Sequence, residues 1–415
     1  MQSKYFFSKL VPSKTVMIGL CFVSGCIMHV TPARGTNLLT TQSAAERGDI
    51  SSELAMGDAY FDGQGVPEDK VQAAYWYEKA ANAGDASAQN QIGYFYQVGI
   101  GVPVDTSRAV HWFQLSAANG NADAKVNLGV AYFWGTGVNR DPQMAEHLFH
   151  EAALHGNSSA MTNLGDMYYI GDGVPRNEQL AKSWYEEAIK RHDSLAEYRM
   201  GILLSASDAG LRDLQRAAML FRESSADGFV PSMHALGLLL VNYPEIGRSH
   251  QEALHALCDA ASAGMWKSSV ILGLLARDGK WMPKDPAVAY FYLRVAESQG
   301  GSSATQVVEN EIDKLSKLLH PDQFIQIDEH ARTWARMHNV SLIRIYRNRG
   351  KQKHFPLYGQ VTAIDGVHAG ALMPSRPPAA SEQNYSDLAA TPNCSAINLA
   401  QNDVVTRSVY GTQID

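Results

Sequence analysis

Residues 122–157 read ADAKVNLGVAYFWGTGVNRDPQMAEHLFHEAALHGN, and residues 158–193 read SSAMTNLGDMYYIGDGVPRNEQLAKSWYEEAIKRHD. Laid one over the other, they are two copies of one 36-residue pattern with no insertion between them. The phase runs outward in both directions. A glycine recurs at Gly57, Gly93, Gly129, Gly165, Gly201, Gly237 and Gly273. An alanine recurs at Ala73, Ala109, Ala145, Ala181, Ala217, Ala253 and Ala289. Two further columns hold Ala80, Ser116, Ala152, Ala188, Ser224, Ala260, Ala296 and Gly84, Gly120, Gly156, His192, Gly228, Gly264, Gly300. Such a period is the mark of a repeat architecture, in which no single unit can bury its apolar face alone.

Each unit reads as two helices. A large apolar residue precedes the first glycine (Met56, Ile92, Leu128, Leu164, Met200, Leu236, Leu272), and Tyr60, Tyr96, Tyr132 and Tyr168 follow it in the first four units. That spacing places them on one buried face of helix A. A repeated glycine inside a helix predicts a close helix–helix approach that a Cβ would block. The turns Gly63-Gln64-Gly65-Val66-Pro67, Gly99-Ile100-Gly101-Val102-Pro103, Gly135-Thr136-Gly137-Val138-Asn139 and Gly171-Asp172-Gly173-Val174-Pro175 end helix A. Asp69, Asp105, Asp141, Asn177, Asp213 and Asp285 are suited to cap helix B. A glycine pair could instead cradle a phosphate, but no strand precedes it and no P-loop lysine follows. Ser207-Asp208-Ala209 and Tyr243-Pro244-Glu245 replace the glycine turn in units five and six, and unit seven keeps only Gly279 of the pair.

These columns resemble the Sel1-like repeat, a relative of the tetratricopeptide repeat. The motifs are Ala-x-x-x-Leu-Gly-x-x-Tyr, Gly-x-Gly-Val-x-x-Asp and Ala-x-x-Trp-Tyr-x-x-Ala-Ala-x-x-Gly, carried best by residues 122–157 and 158–193. The resemblance implies an all-α fold, an α-solenoid wound as a right-handed superhelix, that binds protein partners rather than performing catalysis. The cysteine-rich branch of the family has a disulfide within each repeat, and the pairs it needs are missing from this sequence.

The chain then divides into residues 1–25, an export signal; 26–49, a tether and N-terminal capping segment; 50–301, seven repeats; 302–340, C-terminal capping helices; and 341–415, a basic segment followed by a tail. Lys4, Lys9 and Lys14 precede a short apolar run ending at Val23-Ser24-Gly25-Cys26. The run is too short to span a bilayer comfortably. A cysteine after a small pair resembles the bacterial lipobox, which makes Cys26 the expected lipidation site and places the protein on a membrane, with Ile27 favouring the outer membrane and a periplasmic face. Arg344, Arg347, Arg349, Lys351 and Lys353 form a basic cluster. The stretch from Ala369 to Asp415, rich in Pro, Ser, Ala, Asn and Thr, is expected to be disordered.

A net charge of −7 argues against nucleic acid as a partner, because phosphate binding needs a basic face. The four cysteines, Cys21, Cys26, Cys258 and Cys394, form no CxxC pair and no evident disulfide framework. Cys258 falls in a column with Glu78, Gln114, His150, Glu186 and Arg222, a polar column that predicts partial exposure. No HExxH, GxSxG or Walker A motif occurs, and His111, His147, His155 and His192 lie in different columns, so neither a catalytic site nor a metal or other cofactor is expected.

If helix A lines the concave side, the variable columns beside its buried face form the recognition surface. They hold Leu54, Asn90, Val126, Thr162; Asp58, Tyr94, Val130, Asp166; Phe61, Gln97, Phe133, Tyr169; and Asp62, Val98, Trp134, Ile170. From these, Asn90, Tyr94, Gln97, Phe133, Trp134, Asp166 and Tyr169 are the candidate partner-binding residues, with the aromatics and Asp166 expected as an exposed hot-spot strip. The leading expectation is therefore a membrane-tethered scaffold of the bacterial envelope. Two rivals are an envelope hydrolase acting on peptidoglycan and a secretory-pathway adaptor glycosylated at Asn157, Asn339 or Asn384, each of which opens an N-x-S triplet.

Overall fold

The computed structural model describes residues 38–207 and 210–338. The export-like segment with Cys26, the basic cluster and the tail lie outside the described residues. A first helix, α1 (Leu38–Glu46), leads into seven helix pairs. They are α2 (Ile50–Asp62) with α3 (Lys70–Asn82), α4 (Ala86–Val98) with α5 (Thr106–Ala118), and α6 (Ala122–Trp134) with α7 (Pro142–Leu154). Next come α8 (Ser158–Ile170) with α9 (Glu178–Ile189), α10 (Ser194–Ala206) with α11 (Leu214–Ala226), and α12 (Val230–Asn242) with α13 (His250–Ser262). The last pair is α14 (Trp266–Asp278) with α15 (Pro286–Ser316), and α16 (Pro321–His338) closes the array. Each helix packs on its neighbours in the chain, and the extra contacts that skip a helix join α8 to α10 and α12 to α14. Both skipping pairs are A-helices, so in those units the A-helices approach one another on one side of an all-α solenoid.

The repeated glycine does what its column predicts. A Cβ on Gly57 would meet the Tyr77 ring at 2.7 Å, one on Gly93 the Phe113 ring at 2.7 Å, and one on Gly129 the Phe149 ring at 2.6 Å. Gly165 lies against Tyr185 and Gly201 against Phe221 at 2.4 Å, while Gly237 and Gly273 face Leu257 and Leu293. In every unit, then, the glycine of helix A seats the large residue 20 positions later on helix B. Those residues are all buried, and the half-buried Tyr60, Tyr132 and Tyr168 each pack against two neighbouring core clusters, which links the interior from unit to unit.

Capping fixes the helix starts. The side chains of Asp69, Asp105, Asp141, Asn177, Asp213 and Asp285 accept backbone N–H bonds at the start of helix B, and Ser249 does so in unit six. Helix A carries the same device at Asp49, Asp85, Asn121, Asn157 and Asp193. Gly135 leaves α6 at φ 72°, and Gly137 packs so closely on the previous unit that a Cβ would lie 2.2 Å from the Thr106 carbonyl oxygen. That second glycine therefore locks one unit to the next.

Where glycine is missing, another residue takes over. Unit seven puts Trp281 in the second-glycine position with φ 66° and stacks its ring on His250, centroids 4.6 Å apart. Unit six replaces the glycine turn with a 3₁₀ turn, Pro244–Ile246. At the end, α15 runs through Gly301, whose φ of 54° breaks the helix, and α16 buries Ile327, Ala331, Trp334 and Ala335 beside it. Trp334 meets Phe291 edge-on, so the apolar end of the array is covered. No described helix is long and apolar enough to cross a membrane.

One expectation is overturned here. Cys258 is only 2% exposed, and it is disulfide-bonded. The polar column predicted otherwise because α13 has different neighbours: the Tyr292 hydroxyl of α15 lies 3.9 Å from Cys258 Sγ.

Candidate partner-binding face

The seven candidate residues sit on three successive A-helices: Asn90, Tyr94 and Gln97 on α4, Phe133 and Trp134 on α6, Asp166 and Tyr169 on α8. Trp134 is the last residue of α6 and is 39% exposed, its ring set edge-on to Phe133 at 5.0 Å. The residues in the same place on α4 and α8, Val98 and Ile170, are 43% and 36% exposed. Helix A ends at each, and a left-handed glycine follows: Gly99, Gly135 or Gly171. Three consecutive units thus present one open apolar side chain in register.

The other expected hot-spot residues are packed rather than open. Phe133 and Tyr169 are buried, and so is Asp166. Asp166 and Tyr169 lie on α8, which contacts α10 directly, and Phe133 belongs to the buried cluster that α6 shares with α7 and α8. The guanidinium of Arg140 lies 5.7 Å from the Phe133 ring, and Arg176 holds the equivalent place 5.8 Å from Tyr169, a cation–π contact repeated one unit on. Burial raises the Tyr169 phenol above its ordinary pKa. Asp166 is tied into the fold: the Tyr185 hydroxyl donates to Asp166 Oδ1 at 2.7 Å, and Arg199 Nε lies 3.4 Å from the same oxygen. Arg199 is itself only 5% exposed, so a charged pair crosses from α8 to α10 beneath the surface.

Asn90, Tyr94 and Gln97 are half-buried. Asn127 Nδ2 donates to Asn90 Oδ1 at 2.9 Å across the α4–α6 seam. Burial raises the Tyr94 phenol. Gln97 Oε1 is shielded from water and accepts no hydrogen bond among the described residues, which leaves an acceptor at the base of this face. Arg199 escaped the sequence reading because its column, shared with Asn127 and Asn163, is polar and resembles a solvated stripe. Val98 and Ile170 were legible as neighbours of Trp134 in the same column, but their exposure depends on the helix ending there.

Among the described residues, no three His, Cys, Asp or Glu side chains are placed to hold a metal ion. The chemistry on offer is apolar contact flanked by hydrogen-bonding groups, which suits recognition of a macromolecule.

Comparison with known proteins bears on the same repeats. A crystal structure of c5321, a protective antigen present in uropathogenic Escherichia coli strains displaying an SLR fold, is 24% identical, with 77% of this chain and 75% of that one aligned at a TM-score of 0.39. A Sel1 repeat protein from Oxalobacter formigenes is 27% identical over 54% of this chain and 98% of its own, at a TM-score of 0.48. A search of curated protein sequences returned no match. The Sel1 repeat model matches residues 50–85, 86–121, 122–157, 158–193, 194–229 and 270–301. It passes over the unit with the Pro244 turn, whose helices α12 and α13 still form a pair. The matched segments take in just over half of the chain. Sel1 repeat proteins are scaffolds for protein–protein interaction and are typically non-catalytic. With the period, the glycine–aromatic seats and the family match in agreement, this chain belongs to the Sel1 repeat family.

Proposed function

We propose that this protein is a lipid-anchored adaptor of the bacterial cell envelope, held through Cys26 at the outer membrane and capturing a protein partner on the A-helix face. The observation that carries the docking site is the exposed column Val98, Trp134 and Ile170, open at the same place on three successive units. Solvent-exposed apolar groups in register, around a tryptophan, have the make-up of a binding hot spot. The half-buried Asn90, Tyr94 and Gln97 form the polar rim beside it, and buried Phe133, Tyr169 and Asp166 hold the A-helices that present it. The envelope location rests on the lipobox-like Val23-Ser24-Gly25-Cys26.

Two experiments test the two halves separately. Trp134→Ala with Ile170→Ala should abolish partner recovery in a pull-down while leaving the far-ultraviolet circular dichroism unchanged. Undiminished recovery refutes this face. Cys26→Ser should abolish incorporation of labelled fatty acid and release the protein from membranes. Retained labelling or an unchanged membrane fraction refutes the anchor.

A further inference from the structure

The first turn of helix A makes a charged contact with helix B of its own unit. In unit one, Lys79 Nζ lies 2.9 Å from Glu53 Oε1 and also donates to the Ala45 carbonyl at 2.7 Å. In unit three the charges are exchanged, and Lys125 Nζ meets Glu151 Oε2 at 2.8 Å. In both units the partners stand 26 positions apart. Unit five puts Glu197 and Glu223 in those two places, so two acidic side chains meet where the other units have an ion pair. Glu197 is 7% exposed, and its Oε2 is shut off from water with no hydrogen-bond partner among the described residues. The charged neighbours that act on it are Asp227, Glu223 and Asp193, all negative. Basic residues close by in the chain are engaged elsewhere. Lys190 pairs with Glu187 at 2.6 Å, Arg222 pairs with Glu252 at 2.6 Å, and Arg191 lies beside the turn at Gly156.

We propose that Glu197, Glu223 and Asp227 hold a primary ammonium group from outside the chain, the lysine side chain of a partner protein. A buried carboxylate without a counter-charge is unfavourable. An incoming ammonium supplies both the charge and up to three N–H donors. Lys79 shows that an ammonium fits this place in the repeat, between the carboxylate of helix A and the carbonyl that ends the preceding B-helix. In unit five Ile189 stands in the Ala45 column, and its carbonyl closes α9 by accepting the His192 N–H. The site is open on one side, because Glu223 and Asp227 are exposed. Ser194 Oγ donates to Asp227 Oδ2 at 2.7 Å, which holds that carboxylate beside the start of α10. A metal ion fits less well, since among the described residues no three His, Cys, Asp or Glu side chains are placed to hold one. The net charge of −7 favours a basic partner in the same sense.

Glu197 lies in the first turn of α10, whereas Trp134 and Ile170 end α6 and α8. The ammonium site is therefore at the other end of the A-helices from the exposed apolar column. A lysine as the source of the ammonium rests on the reading of the chain as a protein-binding scaffold; the site itself does not.

The test uses the full-length protein with isotope-labelled glutamate carboxyl carbons and Nα-acetyl-lysine methylamide as the probe. The Glu197 resonance, identified by its loss in Glu197→Gln, should move saturably as the probe is added near neutral pH at constant ionic strength. The norleucine analogue, which lacks the ammonium, should leave it unmoved. Glu223→Lys rebuilds the Glu53–Lys79 arrangement and should abolish the response with helix content unchanged, because Glu223 is exposed. Asp227→Asn should weaken the response several-fold, and it decides the matter if Glu223→Lys loses helix content. No movement with the lysine probe, an equal movement with norleucine, or an equal or larger movement with calcium chloride overturns the proposal. So does an undiminished response in a folded variant. A saturable response to the probe, beside undiminished partner recovery by Trp134→Ala with Ile170→Ala, would remove the apolar column and leave the ammonium site standing.

Discussion

The Tyr185 hydroxyl donates to Asp166 Oδ1 at 2.7 Å, and the two residues come from the two helices of one unit. Arg199 of the following unit approaches the same carboxylate at 3.4 Å. A buried charge is therefore shared across a repeat boundary, in a place where the sequence suggested an exposed recognition residue. Removing one member of such a pair strands the other. Arg199→Met should cost about 3–5 kcal/mol, whereas Arg199→Met combined with Asp166→Leu should cost clearly less than the single change. Urea unfolding of the two variants, read as a double-mutant cycle, checks it; additive losses would mean the pair is not coupled.

The glycine seats predict a second loss. Gly165→Ala would place a methyl group 2.4 Å from Tyr185 Cε1. Overpacking at a site bounded by a fully buried ring should destabilise by about 1–3 kcal/mol. A thermal melt indistinguishable from wild type would show that the seat is loose.

His192 stands where other units have Gly84, Gly120 or Gly156, and it keeps the left-handed backbone at φ 59°. An L side chain in that conformation costs about 1 kcal/mol. His192→Gly should therefore stabilise the array and raise its melting temperature by a few degrees. A lower melting temperature would indicate that the imidazole makes a contact worth more than the strain.

Glu197 predicts the pH dependence. It is 7% exposed, and burial first, then Asp227, Glu223 and Asp193, pushes its carboxyl up to about 7. The pKa is raised in the folded state, so the contribution is favourable below the unfolded value of about 4.3 and is lost as pH rises through 7. Glu197→Gln should flatten the stability profile between about pH 4 and 7 and gain on the order of 2–3 kcal/mol above pH 7. An unchanged profile would assign the carboxyl to a more solvated site.

The repeat columns made the solenoid legible, because Gly57 and its equivalents, and the capping Asp69 and its equivalents, answer to backbone geometry that recurs every 36 residues. The face was legible only in part. Trp134 is open because α6 stops at it, while Phe133, one residue earlier, is buried in the cluster that α6 shares with α7 and α8. A column records which residues vary, but packing against the neighbouring helices decides which are covered. Cys258 shows the same limit from the other side: its column predicted exposure, and contacts peculiar to the end of the array buried it.

The docking column is tested most directly by site-specific photocrosslinking in cells. A photoreactive phenylalanine placed at Trp134 should yield a discrete cross-linked protein, while the same group at Met219, exposed on a B-helix, should not. Equal cross-linking at both positions, or a product formed only from position 219, would contradict the account.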